Sequence, residues 1–240
     1  MKIHIFATML LFTGFSSAMD DEKEKVPPTA IKDLIRVQVE YIEMPHEKLT
    51  ALLEEKGDSD DAALRLKVRE LIAAKDAKIL ETFVATTRSG GKATAGSVDE
   101  FIYPTEYEPM EIVEPPPEKS LPQAMKTPFC PTAFETRNLG SSLEINSAVD
   151  ETGKIISLSL EPNMTWHTGN LVWAEDKDAF GNASKIEMPR IYSLSTNTSI
   201  ACVDGKPQFV AALSPKSDRG EIDTSRKVMV FVKCDVIPVK

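Results

Sequence analysis

The sequence predicts an α+β domain: mostly antiparallel β-sheet, with two helices near the N-terminus covering one sheet face. Three observations predict this class. Leucines at helical spacing mark the stretch between Pro45 and Ala77. From Lys78 onward apolar and polar residues alternate with a period of two, as half-buried strands require. Glycine-bearing turns at Gly90-Gly91, Asp150 to Gly153 and Asp204-Gly205 divide that alternation into strands.

"MKIHIFATMLLFTGFSSA" opens the chain and does not belong to that fold. Lys2 gives a positive start, Ile3 to Phe15 an apolar stretch, and Ser16-Ser17-Ala18 a small-residue cleavage site, so residues 1–18 are expected to be a cleaved signal peptide. The apolar stretch is shorter than the roughly 20 residues of a membrane-spanning helix. No cysteine follows it, so lipid attachment is not suggested. An acidic flexible tail over 19–34 and a single domain over 35–240 are expected to follow.

Within the domain, "IRVQVEYIEM" alternates Ile35, Val37, Val39 and Tyr41 with polar residues and reads as a strand. Pro45 opens a helix in "PHEKLTALLEEKG", which ends at Gly57. A second helix, "SDDAALRLKVRELIAAKDA", has Ser59 or Asp60 as its cap and a stripe of Leu64, Val68, Leu71 and Ile72 to pack on a sheet. "AKILETFVATTRSGGKATAGSVDEFIY" is expected to be a hairpin turning at Gly90 and Gly91. A Pro/Glu-rich loop over 104–130 interrupts the sheet without dividing the domain. Residues 132–148 and 154–165 form a second hairpin around Gly153. Further strands follow, with a tight turn at Asp204-Gly205 between "STNTSIACV" and "PQFVAAL". A polar loop then leads to a last strand from Lys227 to Val236.

Chemistry is sparse. The net charge of −9 disfavours a nucleic-acid partner, which would want a basic footprint. No later segment has the length of a membrane-spanning helix, so any membrane contact is through β-structure. His46 and His167 have no nucleophile elbow beside them and no metal-ligand spacing. The acidic group at 57–61 reads as helix capping, and "EDKDAFGN" lacks the order of a calcium loop. Gly90-Gly91 lacks the lysine–serine ending of a phosphate loop. Cys130, Cys202 and Cys234 have no C-x-x-C spacing; in an exported chain they allow one disulfide plus a free thiol, or buried thiols in strands. No catalytic residue, cofactor or metal is expected.

The order of segments resembles the C-terminal domain of secretins, the outer-membrane channels of type II and type III secretion and type IV pilus systems. "IRVQVEYIEM" resembles its first strand, and "LIAAKDAKILETFVATTRSGGKATAGSVDEFIYP" its helix and following hairpin. "RNLGSSLEINSAVDETGKIISLSLEP" is similar to its next hairpin, "TNTSIACVDGKPQFVAAL" to its strand–Asp–Gly–strand unit, and "KVMVFVKCDVIPV" to its closing strand. The resemblance covers residues 35 to 237. It carries over Gly140 and Gly205 as turn or close-packing glycines. Two departures stand out. "SPKSDRGEIDTSR" replaces a proline- and leucine-rich lip, and the family's N-domains and pilotin-binding tail have no counterpart.

The resemblance implies an envelope protein of the periplasm or outer membrane, a component of or accessory to a secretion or pilus channel. Its partners would be further copies of itself or other secretion and pilus components, joined through strand edges. The alternative is a soluble periplasmic scaffold or binding module that keeps the fold and forms no pore.

Overall fold

The computed structural model describes residues 33–57, 60–113, 125–177 and 181–239. The expected signal peptide, the tail up to residue 32, Ser59 and the middle of the Pro/Glu-rich loop lie outside the described residues.

Two antiparallel sheets and two helices make up the α+β fold. In the first sheet, β1 (Asp33–Pro45) lies between β2 (Lys78–Arg88) and β11 (Arg226–Pro238), and β10 (Pro207–Leu213) adds to the far side of β11. The second sheet runs β3 (Gly91–Glu108), β6 (Cys130–Val149), β7 (Ile155–Lys177) and β8 (Ala183–Ser195), with β9 (Thr198–Val203) paired to the first part of β7. A two-residue ladder joins β4 (Ile112–Val113) to β5 (Met125–Lys126). The helices are α1 (His46–Lys56) and α2 (Asp61–Ala73).

Side-chain alternation explains the layers. Ile35, Val37, Val39 and Tyr41 of β1 point one way with Val228, Val230, Val232 and Cys234 of β11. They meet Leu143 and Ile145 of β6 and Ile156, Leu158 and Leu160 of β7 in one buried cluster. Each such side chain contributes roughly 1.5–3 kcal/mol when fully buried. On the opposite face, Ile42, Met44, Met229 and Phe231 receive Leu49 and Leu52 of α1 and Leu64 and Val68 of α2. That second layer is why β11 reads as an unbroken apolar run: it is covered on both faces. β1 likewise buries Tyr41 and Ile42 in succession, one on each face, and beside them the ladder with β2 shifts register by the extra residue Leu80.

The helices are fixed by polar contacts as well. Asp60 caps α2, its carboxylate accepting from the Ala62 amide at 3.2 Å. Arg65 of α2 donates to both carboxylate oxygens of Glu40 on β1, at 2.8 and 3.2 Å. The Tyr41 hydroxyl reaches across the sandwich to the Pro162 carbonyl at 3.2 Å, and burial pushes its pKa up to about 12.

Three expectations need correction. The segments around Gly90-Gly91 are not a hairpin: β2 pairs with β1, and β3 pairs with β6. Likewise β9 pairs with β7, and β10 with β11, so the Asp204-Gly205 connection also crosses from one sheet to the other. A period of two is the same for strands side by side and for strands face to face. Here Phe83 and Ala85 of β2 approach the core from one side while Ala93 and Ala95 of β3 approach it from the other. The Pro/Glu-rich loop is also narrower than 104–130, because β3 continues through Pro104 to Glu108 against Cys130 to Phe134 of β6. Pro104 is tolerated there because β3 is an edge strand.

Two outcomes follow from this packing. Leu158→Ala removes a side chain from the centre of the inter-sheet core, and urea unfolding should show a loss of about 2–5 kcal/mol. Tyr41 is neutral in the fold and its pKa is raised, so its contribution is complete below the ordinary tyrosine value of roughly 10. Stability should then fall as pH rises towards about 12, and the Tyr41→Phe variant should lose that part of the alkaline sensitivity.

Candidate assembly surface

The two sheets are stacked over only part of the second one. The β6–β7 ladder runs from Val149↔Ile156 to Gly140↔Thr165 and stops there. Beyond it β3 and β6 stay paired as far as Glu108↔Cys130, and β7 and β8 as far as Lys177↔Ala183. The sheet thus divides into two two-stranded arms, each roughly 35 Å long at the usual rise per residue. The stretch from Trp166 to Pro189 holds the far half of β7 and the first half of β8.

Gly140 sits where the arms separate. Its φ is +123°, and a Cβ there would lie 2.2 Å from the Ser97 carbonyl oxygen. It is a close-approach glycine inside β6, not a turn residue. On β7 the register slips between His167 and Asn170, where Gly169 has φ +125°, and again between Val172 and Ala174. Both irregularities turn the strand and raise its twist.

The arms touch at a few points. The rings of Phe101 on β3 and His167 on β7 stack with centroids 4.7 Å apart. The Tyr107 hydroxyl donates to the Glu187 carbonyl at 3.4 Å, the Phe129 amide to Ser184 Oγ at 2.9 Å, and Lys126 pairs with Asp176 at 2.6 Å. Lys126 holds the Asp176 carboxyl below the usual range, and the Glu135 carboxylate that accepts from Tyr103 raises that phenol. Apolar side chains nevertheless remain in solvent: Val98 and Ile102 on β3, Phe134 on β6, and Leu171, Val172 and Trp173 on β7, with Trp173 72% exposed. Among the described residues, the outer edge of β3 pairs with nothing, as does that of β8, and the facing edges of β6 and β7 are unpaired beyond Gly140 and Thr165.

The remaining turn residues gather at the opposite end of the sandwich. The Gly90 amide donates to the Ser147 carbonyl at 2.8 Å, and Gly91 begins β3. Gly153 closes the β6–β7 turn, where Asp150 accepts from the amides of Lys154 and Ile155 at 3.2 Å each. The Asp204 amide donates to the Lys154 carbonyl at 2.9 Å and its carboxylate accepts from the Val236 amide at 2.8 Å, while the Gly205 amide donates to the Cys234 carbonyl at 2.8 Å. Asp204 and Gly205 therefore clip the two sheets together. The sequence reading missed the division into arms. Its signal was the consecutive Leu171, Val172 and Trp173 after Gly169-Asn170, a run that alternation within one sheet does not explain.

Among the described residues no three His, Cys, Asp or Glu side chains converge on a metal-sized site, and no helix is long and apolar enough to cross a membrane. A groove of about 290 Å³ beside α2 is lined by Lys56, Asp60, Asp61 and Lys206, whose charges pair with one another at 3.1 and 3.4 Å.

No protein-family model matches the sequence, and no curated protein matches it either. Several solved structures are similar in fold. The type II secretion system secretin GspD of E. coli K12 is 10% identical with a TM-score of 0.40, over 86% of this chain and 50% of that one. Aeromonas hydrophila ExeD is 10% identical with a TM-score of 0.45, over 87% and 49%. The InvG secretin-domain β-barrel of the Salmonella SPI-1 injectisome is 9% identical with a TM-score of 0.43, over 87% and 64%. The chain spans about half the length of the first two and less than two thirds of the third.

Gly140 and Gly169 share a backbone conformation but not an environment, since nothing lies within 4 Å of a Cβ at Gly169. Gly169→Ala should cost only backbone strain, about 1–3 kcal/mol. Gly140→Ala adds a collision with the Ser97 carbonyl, so urea denaturation should place it clearly below Gly169→Ala in stability.

Proposed function

We propose that this chain is a secretin-like envelope protein, exported by a cleaved signal peptide, that belongs to or assists a protein secretion or pilus channel and acts by β-strand-mediated assembly. The observation that carries this reading is the pair of arms. A two-stranded ribbon is marginally stable in water, and a long unpaired edge is a template for another chain. Each arm has an unpaired edge on both sides and exposes apolar side chains such as Ile102 and Trp173. Added strands from neighbouring copies would satisfy the edges, and closing the series into a ring would leave none. The segment order quoted from the sequence supports the same reading.

One observation favours the alternative of a soluble periplasmic scaffold. The link from β10 to β11, where secretins carry an apolar lip, is short and folded back on itself. Arg226 donates to Asp223 at 2.8 Å and to the Lys216 carbonyl at 2.8 Å, and also binds Glu43 of β1. The Ser225 hydroxyl and Arg226 hold the Asp223 carboxyl down at about 2. A link fastened in this way offers no lip to a bilayer.

The test is the native mass of the chain, taken separately from membrane extracts and from the soluble fraction, for the unaltered protein and for Ile102→Lys with Trp173→Asp. Both substituted side chains are exposed, so the fold should change in stability by no more than about 0.5 kcal/mol per site. Assembly predicts a large species that the double variant reduces to single folded chains. A small soluble species from both proteins would support the scaffold instead.

A further inference from the structure

Two thiols have no part in the surface described above. Cys202 on β9 and Cys234 on β11 are fully buried, belong to one apolar cluster and come from opposite sheets. The Asp204-Gly205 crossing brings them together, because the Gly205 amide is bonded to the carbonyl of Cys234 itself. Cys202 lies three residues before Gly205, so its side chain enters the shared cluster at the same end of the core as Cys234. Neighbouring inward positions of β11 are valines, at 228, 230 and 232, and the series changes to cysteine where β9 supplies a second thiol. Packing alone is satisfied by another valine, so the paired thiols call for a chemical reason.

We propose that Cys202 and Cys234 form a disulfide that fastens the two sheets at this crossing and leaves Cys130 as the free thiol. The oxidant is a small-molecule or protein disulfide of an oxidising compartment. One cysteine thiolate attacks its S–S bond and releases the first donor thiol. The second cysteine then gives up its proton and displaces the other, so that two hydrogens pass from the protein to the donor. The neighbouring sulfur and burial push the Cys234 thiol up, and the closed core keeps both thiols from solvent, so exchange is slow once the sandwich has closed. The bond therefore forms while β9 is still settling over β11, and the finished core shields it from reductants. All three cysteines are free thiols in this structure, and Cys130, exposed at the start of β6, lies at the far end of that strand from the crossing. The proposal is independent of assembly and stands or falls separately from it.

The test uses the full chain, refolded in glutathione redox buffer, acid-quenched, alkylated under denaturing conditions and mapped by peptide mass. The expected product is lighter than the reduced chain by two hydrogens, alkylated only at Cys130, with the peptides of Cys202 and Cys234 linked. Its melting temperature should drop by roughly 10 °C on reduction, as for a bridge closing a loop of this length. The Cys130→Ser variant should behave identically, and Cys202→Ala should leave Cys234 open to alkylation after denaturation. Three alkylated thiols at every glutathione ratio, or a bridge that includes Cys130, would overturn the proposal. Mapping the unaltered chain decides the matter even where a variant does not fold.

Discussion

The apolar contact between the first sheet and the lower half of the second is the interaction on which the rest of the structure depends. Val37, Val39, Val230 and Val232 on one side meet Ile145, Leu158 and Leu160 on the other, and this contact sets which strands run together. It places β1 and β11 between two apolar layers, so that the helices have Met229 and Phe231 to pack on. It also forces the chain to cross between sheets at Gly90-Gly91 and at Asp204-Gly205. What it does not cover is as consequential. Beyond Gly140 only the start of the β7–β8 arm is still covered, where the β10–β11 link lies against Trp166, Thr168 and Tyr192, and further out the strands continue as ribbons whose hydrogen-bonding edges and apolar residues are left over.

The leftover surface is what the proposed assembly would use. Strand edges recognise other strands, and backbone pairing gives them affinity without any catalytic group. Some charges on the arms are held in local pairs, Lys126 with Asp176 and Lys185 with Glu175, which fix the ribbons locally. The loop between β10 and β11 is fastened by Arg226 to Asp223 and to the Lys216 carbonyl.

Much of this was legible in the sequence, and the reasons differ by element. The helices were readable because Leu49, Leu52, Leu64 and Val68 follow a period that only a helix satisfies, with Asp60 in capping position. The strands were readable from their alternation, and β11 from its apolar continuity. The partners of β2, β3, β9 and β10 were not readable, since alternation does not distinguish a neighbour in the same sheet from one facing it. The arms were hidden for a related reason. Gly140 was expected as a turn or close-packing glycine, and the choice between them rests on the Ser97 carbonyl, a contact 43 residues away in sequence that no local pattern records.

Amide hydrogen exchange, followed residue by residue in isolated and assembled protein, tests the central claim most directly. In the isolated chain, amides of Val98–Glu108 and Trp166–Lys177 should exchange far faster than those of Ile35–Tyr41 in the core. In the assembled form the arm amides should slow towards core values as the edges find partners. Arms already as protected as the core in single chains, or arms equally fast in both forms, would contradict assembly through these edges.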